Sequence, residues 1–554
     1  MIRSRHVSVA TKCVSRNGPT FGDGPCALAD EVAGKVKNRF HLQLSSPSIA
    51  TKTCCIALIF TLLASATELD DARAQLRAGN APAAIELLRA VIAKDPTSVD
   101  PSALLTEILL AEERFDEAEE VLQPALTRNP SDAGLQRLFG DLRYREGLIF
   151  DAEKAYKAAI KADSRNARAI YGISRVYEAS SLRKKAFEML RVAHALDSQD
   201  PRIANAFYYS DRHSPPAIAH MQTEISRLES TTGGKADERF LRALRVWIAE
   251  AKALDGKPEF EPASDARQYR LPLSRLMDGR RLTGASLPIR INDAKADLRF
   301  DTGAGGIILG SRFAERAGIQ RLGDTEIGGI GNGPPVKGWV GYAPSIQVGS
   351  LELKNCIVEV PDKGSVDDSG GLIGSNIFRR FLVKINWAGR SVDLDRLPGP
   401  PWDGYTLVDR YDGPELSSYS QMLIIHHHLL IPTLISETTK TEQTPGLFLF
   451  DTGSTFNMIS TKIAPAITKI RDSENVRVHG VSGRVKMVYQ ADKIVLQFAN
   501  FRQQIRELTS FDLSAISRAA GGEVAGIMGL PLIGLFDSVT LDYRDGRIKF
   551  NYKP

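Results

Sequence analysis

The chain has 554 residues, 43% hydrophobic and 25% charged, which is ordinary globular composition but too much length for one core. The formal charge of +5 arises in residues 1–66, which hold eight Lys/Arg against three acids, while the remainder balances 63 basic residues against 63 acidic ones. A neutral body offers a phosphate backbone nothing to grip, so no nucleic-acid partner is expected.

The basic front end runs into Cys54-Cys55-Ile56-Ala57-Leu58-Ile59-Phe60-Thr61-Leu62-Leu63 and then Ala64-Ser65-Ala66. This is the apolar core and small-x-small exit of a secretory signal, and it is too short for a comfortable membrane span. Residues 1–66 therefore read as a presequence and signal peptide. Export to the periplasm or the extracellular space is expected, with membrane contact only if the signal stays uncleaved. The long polar stretch ahead of it points to a translation start further downstream. Four of five cysteines lie here, leaving Cys356, whose setting Cys356-Ile357-Val358 reads as buried core and not as a nucleophile.

A period of 34 follows. Pro96, Pro130, Ser164 and Ser198 mark helix ends, and Ala84, Ala118, Ala152 and Ala186 stand twelve residues before each. Leu88, Leu122, Tyr156 and Leu190 keep the same register with a larger packing residue. A small Ala lets paired antiparallel helices approach closely, and the Pro or Ser stops the second helix. The spacing resembles the tetratricopeptide repeat family over about residues 65–200, although Thr106 and Ser174 replace the small residue that Gly140 supplies. That resemblance implies a concave surface for a peptide or protein partner, the alternative being a passive spacer. Residues 215–255 continue the helical spacing as a solenoid cap, so 67–255 form one helical domain and 256–267, broken by Pro258 and Pro262, a linker.

The texture then changes to short β-branched runs and glycines, in two lobes, 268–398 and 399–554, separated at Pro398-Gly399-Pro400-Pro401. Lobe two carries Leu447-Phe448-Leu449-Phe450-Asp451-Thr452-Gly453-Ser454, and lobe one a near-copy, Leu298-Arg299-Phe300-Asp301-Thr302-Gly303-Ala304. An acid at the end of a core strand is costly unless it has a task. Each lobe continues with a glycine hairpin, Gly329-Ile330-Gly331 in the first and Gly480-Val481-Ser482-Gly483 in the second. Each then has an apolar-apolar-Gly element, Leu372-Ile373-Gly374 and Ile527-Met528-Gly529. Each closes on a strand and tight turn, Trp387–Val392 and Tyr543–Ile548.

With these shared features both lobes resemble the aspartic peptidases, nearest to the retropepsin-like bacterial type. The resemblance implies a bilobal all-β acid-protease fold behind an all-α solenoid, and an aspartic endopeptidase needing no metal, cofactor or covalent nucleophile. It implies Asp301 and Asp451 as the catalytic pair, with one proton shared because two close carboxylates cannot both ionise cheaply. Thr302 and Thr452 would bond across the lobe interface, and Gly303, Ala304, Gly453 and Ser454 would complete the loops. Leu372, Ile373, Gly374, Ile527, Met528 and Gly529 would pack beneath them. The glycine hairpins would be lids over an extended peptide substrate. A Ser454 hydroxyl donating to Asp451 would make Asp451 the ionised partner and leave the proton on Asp301.

His426-His427-His428 reads as a strand with polar positions and not as a metal cluster, because strand side chains alternate faces. The competing function is a non-catalytic peptide-binding scaffold built on the repeats, and a further arrangement pairs lobes between two chains.

Overall fold

The computed structural model describes residues 68–95, 98–231, 238–362, 370–404, 406–473, 476–480 and 482–552. The signal-like segment with its four cysteines, Pro96 and Val481 lie outside the described residues. The chain divides into Met1–Ala66 and Thr67–Pro554, and the second unit is described here.

Four helix pairs come first: α1 (68–77) with α2 (Ala81–Lys94), α3 (Val99–Ala111) with α4 (Phe115–Arg128), α5 (Ala133–Arg145) with α6 (Ile149–Ala162), and α7 (Ala167–Ala179) with α8 (Arg183–Leu196). Side chains of Asn80, Asp132 and Asn166 cap α2, α5 and α7 by accepting main-chain N–H groups otherwise left without partners. Both periodic series, Ala84 to Ala186 and Leu88 to Leu190, are buried. The one large exception to Leu explains two glycines: a Cβ on Gly140 or Gly172 would meet the Tyr156 ring at 2.6 and 2.3 Å. Thr106 and Ser174 fit the crowded position by turning their hydroxyls back onto main-chain carbonyls, those of Ser102 and Tyr171.

The turns inside the helix pairs share the period. Gly79, Glu113, Gly147 and Ser181 all have φ between 59° and 78°, so each pair folds over through one left-handed residue. Three of these turns dock on lobe two. Glu113 meets Arg518 at 3.3 Å, a Cβ on Gly147 would sit 2.6 Å from the Glu523 carbonyl oxygen, and a Cβ on Gly546 would meet Ser181 Oγ at 2.7 Å. The Glu523 N–H donates to the Arg145 carbonyl at 2.8 Å, and Arg183 donates to the Tyr543 carbonyl at 3.2 Å.

Helices α9 (Pro201–Tyr209), α10 (Pro215–Thr231) and α11 (Glu238–Leu254) extend the array. The expectation of a simple cap needs correction at α11. Val246 and Leu254 pack with Leu322, Val340, Tyr342 and Ile357 of lobe one, and Val246 leaves no room for a side chain at Gly323. Arg242 adds a hydrogen bond to Glu326 at 2.8 Å. One side of α11, Leu244 and Ile248, packs on Ala217 and Met221 of α10 as a cap would, while Val246 and Leu254 are buried by a β hairpin, which the 3.6-residue period could not reveal.

Among the described residues the β region forms a nine-stranded sheet in lobe one, an eight-stranded sheet and a two-stranded hairpin in lobe two, and a six-stranded sheet built from both. In the shared sheet Phe381–Asn386 pairs antiparallel with Phe536–Asp542, with Val383 opposite Leu541 and Ile385 opposite Val539. Its buried face carries Val383, Ile385, Val392, Leu394, Val539, Leu541, Ile548 and Phe550, one side of the strand alternation. The stretch 256–267 is stitched to lobe one, since Glu261–Pro262 pairs with Leu353–Lys354. Cys356 is fully buried and free, its Sγ donates to the Leu353 carbonyl, and burial pushes its thiol pKa well up, away from nucleophilic chemistry.

Candidate active site

Two strands with matching composition end at the lobe interface. Ala294–Phe300 carries buried Leu298 and Phe300 and delivers Asp301; Thr444–Phe450 carries buried Leu447 to Phe450 and delivers Asp451. The apolar-apolar-Gly elements run parallel to them. Leu372 and Ile373 face Arg299 and Phe300, while Ile527 and Met528 face Leu449 and Phe450. Each of the two aspartates is pinned by its main chain: Asp301 N–H donates to the Ile373 carbonyl and Asp451 N–H to the Met528 carbonyl, both at 3.0 Å. Gly374 and Gly529 have no room for a Cβ, which would lie 2.4 Å from the Ala304 carbonyl oxygen and 2.1 Å from that of Phe456. Glycine at these places lets the supporting strand touch the loop.

The loops lock together through their threonines. Thr302 Oγ1 donates to the Phe450 carbonyl at 2.8 Å and accepts from Thr452 N–H at 3.0 Å. Thr452 Oγ1 donates to the Phe300 carbonyl at 3.0 Å and accepts from Thr302 N–H at 3.1 Å. Both side chains are buried, so all four bonds are shielded from water. The glycines then admit the opposite acid: a Cβ on Gly303 would lie 2.8 Å from the Asp451 carboxyl carbon, and one on Gly453 2.3 Å from Asp301 Oδ2. Each carboxyl group thus lies against the loop glycine of the other lobe, and the neighbouring Asp301 acts electrostatically on Asp451.

The pair is not symmetric. Asp301 Oδ1 accepts Gly303 N–H at 2.9 Å, and Asp451 Oδ1 accepts Gly453 N–H at 2.8 Å and Ser454 N–H at 3.2 Å. Asp451 is buried and Asp301 half-buried. Burial, followed by the charge of Asp301, holds the Asp451 pKa well above the usual carboxylate range, against the two backbone donors. The expected hydroxyl donation does not occur: Ser454 Oγ donates to the Phe456 carbonyl at 2.8 Å. Desolvation, not the serine hydroxyl, therefore sets the asymmetry, and it favours the proton on Asp451.

The glycine hairpins meet each other. The first is the 328–335 loop between strands Gln320–Ile327 and Val336–Val348, and the second joins His479–Gly480 to Gly483–Arg484. Ser482 N–H donates to the Ile330 carbonyl at 3.0 Å, Gly333 N–H to the Ser482 carbonyl at 2.8 Å, and Gly329 N–H to Ser482 Oγ at 3.2 Å. Lys486 N–H completes the join by donating to Asn332 Oδ1 at 2.6 Å. Gly331 and Gly480 face the opposite hairpin so closely that a Cβ would lie 2.3 and 2.4 Å from its backbone.

The histidine run needs correction. His426 and His427 form a tight turn, with His426 at φ 56°, and only His428 enters a strand, opposite Ile425. Residues that composition does not single out complete the loops. Asn376 Oδ1 accepts Gly306 N–H and Asn457 Oδ1 accepts Gly529 N–H, each tying an Asp-Thr-Gly loop to its supporting strand. Arg281 and His427 also reach these loops, each from the other lobe. An Asn just after each glycine element or loop was visible in sequence, but its partner was not.

Comparison with family models agrees with this construction in two places. Residues 287–377 match the model described as aspartyl protease, and residues 62–142 match the one described as tetratricopeptide repeat. The chain carries an aspartyl protease-type domain and tetratricopeptide repeats. Among solved structures it is similar to Pseudomonas aeruginosa pilF, with 19% identity over 35% of this chain and 86% of that one and a TM-score of 0.27. It is also similar to a thermophilic TPR protein of Thermus thermophilus, with 20% identity, 34% and 98% coverage and a TM-score of 0.28. A further likeness is to the MamA protein, with 18% identity, 30% and 90% coverage and a TM-score of 0.23. No curated protein matches the chain.

Proposed function

We propose that the protein is an aspartic endopeptidase whose Asp301 and Asp451 activate one water between them. The observation that supports this most is the approach of each carboxyl group to the other lobe's loop glycine, with the threonine bonds beneath them. Ionised Asp301 takes a proton from the water as its oxygen attacks the peptide carbonyl carbon, and Asp451 gives its proton to the carbonyl oxygen. On collapse of the resulting diol, a hydroxyl proton returns to Asp451, Asp301 protonates the leaving nitrogen, and the C–N bond breaks. One proton remains on the pair, as at the start.

An extended substrate binds beneath the joined hairpins by strand addition. The repeats recruit a protein partner on surfaces other than the docked turns, and the protein acts after export. The test is cleavage of a mixed fluorogenic peptide library by the full chain, beside Asp301→Asn and Asp451→Asn, across acid and neutral pH. Cleavage by the parent alone supports the dyad; equal cleavage by all three, or by none, overturns it.

A further inference from the structure

Each lobe lays the tip of its first hairpin on the catalytic loop of the other. In lobe one the hairpin joins Ser274–Asp278 to Arg281–Ile291, and Arg281 stands at its tip. Its Nη2 donates to the Thr455 carbonyl at 2.9 Å, and its guanidinium carbon lies 4.5 Å from the Phe456 ring centroid. Thr455 directly follows Ser454. In lobe two the hairpin joins Leu423–Ile425 to His428–Glu437, and His427 at its tip fills the space where a Cβ on Gly305 would sit, at 2.8 Å. Gly305 directly follows Ala304. Arg281 and His427 are thus equivalent in place, one on each side of the dyad, and different in chemistry.

Arg281 is held but not neutralised. A backbone carbonyl and a ring fix its plane, and among the described residues no carboxylate pairs with it. It is exposed, permanently cationic, and keeps several of its five N–H donors free for a planar acceptor. His427 is half-buried and stacks on His428 at 4.1 Å, beside His426. Burial and the neighbouring His426 lower its pKa to about 4, so it is uncharged through most of the acid to neutral range. The two hairpin tips flanking the dyad therefore differ, a cation at one and an uncharged ring at the other.

The geometry points to Arg281 as a specificity-determining residue that receives a carboxylate of the substrate, selecting peptides with Asp or Glu near the scissile bond on the side facing the lobe-two loop. This rests on the aspartic peptidase reading and adds the substrate class to it. A residue that merely braced the two lobes would change the cleavage of all peptides alike, whereas a carboxylate receptor changes their ratio.

The test uses the full chain and peptides carrying Glu, Gln or Lys in turn at each position flanking one scissile bond. For the parent, kcat/KM for Glu exceeds that for Gln by about tenfold on one side only, the scale of a charge-assisted hydrogen bond. Arg281→Gln removes the difference between the Glu and Gln peptides, and Arg281→Glu inverts it in favour of Lys. An unchanged Glu to Gln ratio in Arg281→Gln overturns the assignment. Binding of the same peptides to Asp451→Asn, with and without Arg281→Gln, is measured by fluorescence anisotropy. Glu selectivity in binding without cleavage by the parent fails the peptidase reading and keeps the acidic-peptide receptor; absence of selectivity in both readouts fails the receptor alone.

Discussion

Lobe one and lobe two repeat one plan and differ in what surrounds it. Both deliver Asp-Thr-Gly from an apolar strand, pin it on a parallel strand and free the loop with glycine. Yet Asp301 is half-buried and Asp451 buried, the hairpin tip facing Asp451's loop is Arg281 and that facing Asp301's loop is His427, and the helices grip the lobes differently. Lobe one takes the face of α11 along the strand that leads to its glycine loop; lobe two takes the repeat turns and shares a core in which Tyr144, Ile173 and Val176 join Leu423, Ile425 and Leu447. Duplication supplies the symmetric part of such a site, and burial assigns unequal roles to its halves.

The largest effect falls on the two acids. Asp301→Asn and Asp451→Asn each lower kcat on the order of a thousandfold, the scale of a lost general acid or base. Because Asn imitates a protonated carboxyl, Asp451→Asn retains about tenfold more residual turnover than Asp301→Asn in single-turnover assays. The reverse order breaks the assignment of the proton to Asp451.

Next come the threonines. Thr302→Val and Thr452→Val each leave a buried N–H and carbonyl without partners, at about 1–3 kcal/mol apiece. Urea unfolding followed by tryptophan fluorescence therefore shifts to lower denaturant by similar amounts for both. Unequal shifts reveal a lobe interface less symmetric than its hydrogen bonds.

The pH dependence separates the lobes more gently. Burial, followed by the nearby Glu250, raises Glu359 of lobe one to about 7. A raised carboxyl stabilises while protonated, so this contribution is present at low pH and fades as pH rises through about 7. Burial, then His427 and His426, lower His428 of lobe two to about 3. A lowered histidine contributes above its unfolded value near 6.5 and loses that contribution as pH falls toward about 3. Hydrogen exchange across pH should find Leu351–Pro361 opening toward alkali and His428–Glu437 toward acid, each by about 1–2 kcal/mol. Glu359→Gln flattens the first trend and leaves the second. The smallest effect is Ser454→Ala: with its hydroxyl on Phe456, the acid limb of the activity profile stays within about 0.3 pH units, the scatter of one weak hydrogen bond.

The duplicated Asp-Thr-Gly loops and the 34-residue period are legible because local chemistry repeats at fixed intervals. The stacking of helix pairs follows from the small Ala series. The shared sheet is not legible, because Phe381–Asn386 and Phe536–Asp542 each read as an ordinary apolar strand and nothing local names the partner. At His426 the flanking apolar runs suggest continuous strand, while the turn is set by one left-handed residue of a type that seldom marks turns. Ser454 shows a third limit: its hydroxyl was evident, its rotamer was not. For α11 the apolar stripe shows burial but not the hairpin that covers Val246 and Leu254.

The shared sheet also orders events during synthesis. Phe381–Asn386 lies inside that sheet, flanked by Ser391–Arg396 and by Phe536–Asp542, so one of its hydrogen-bonding edges has no native neighbour until about residue 542 has left the ribosome. Lobe one therefore waits for lobe two with an open strand, and this pairing has the longest sequence separation among the described strand pairs. A nascent chain stalled between the lobes would expose that edge, which makes the connection near Pro398–Pro401 the stage of folding most exposed to strand-mediated aggregation.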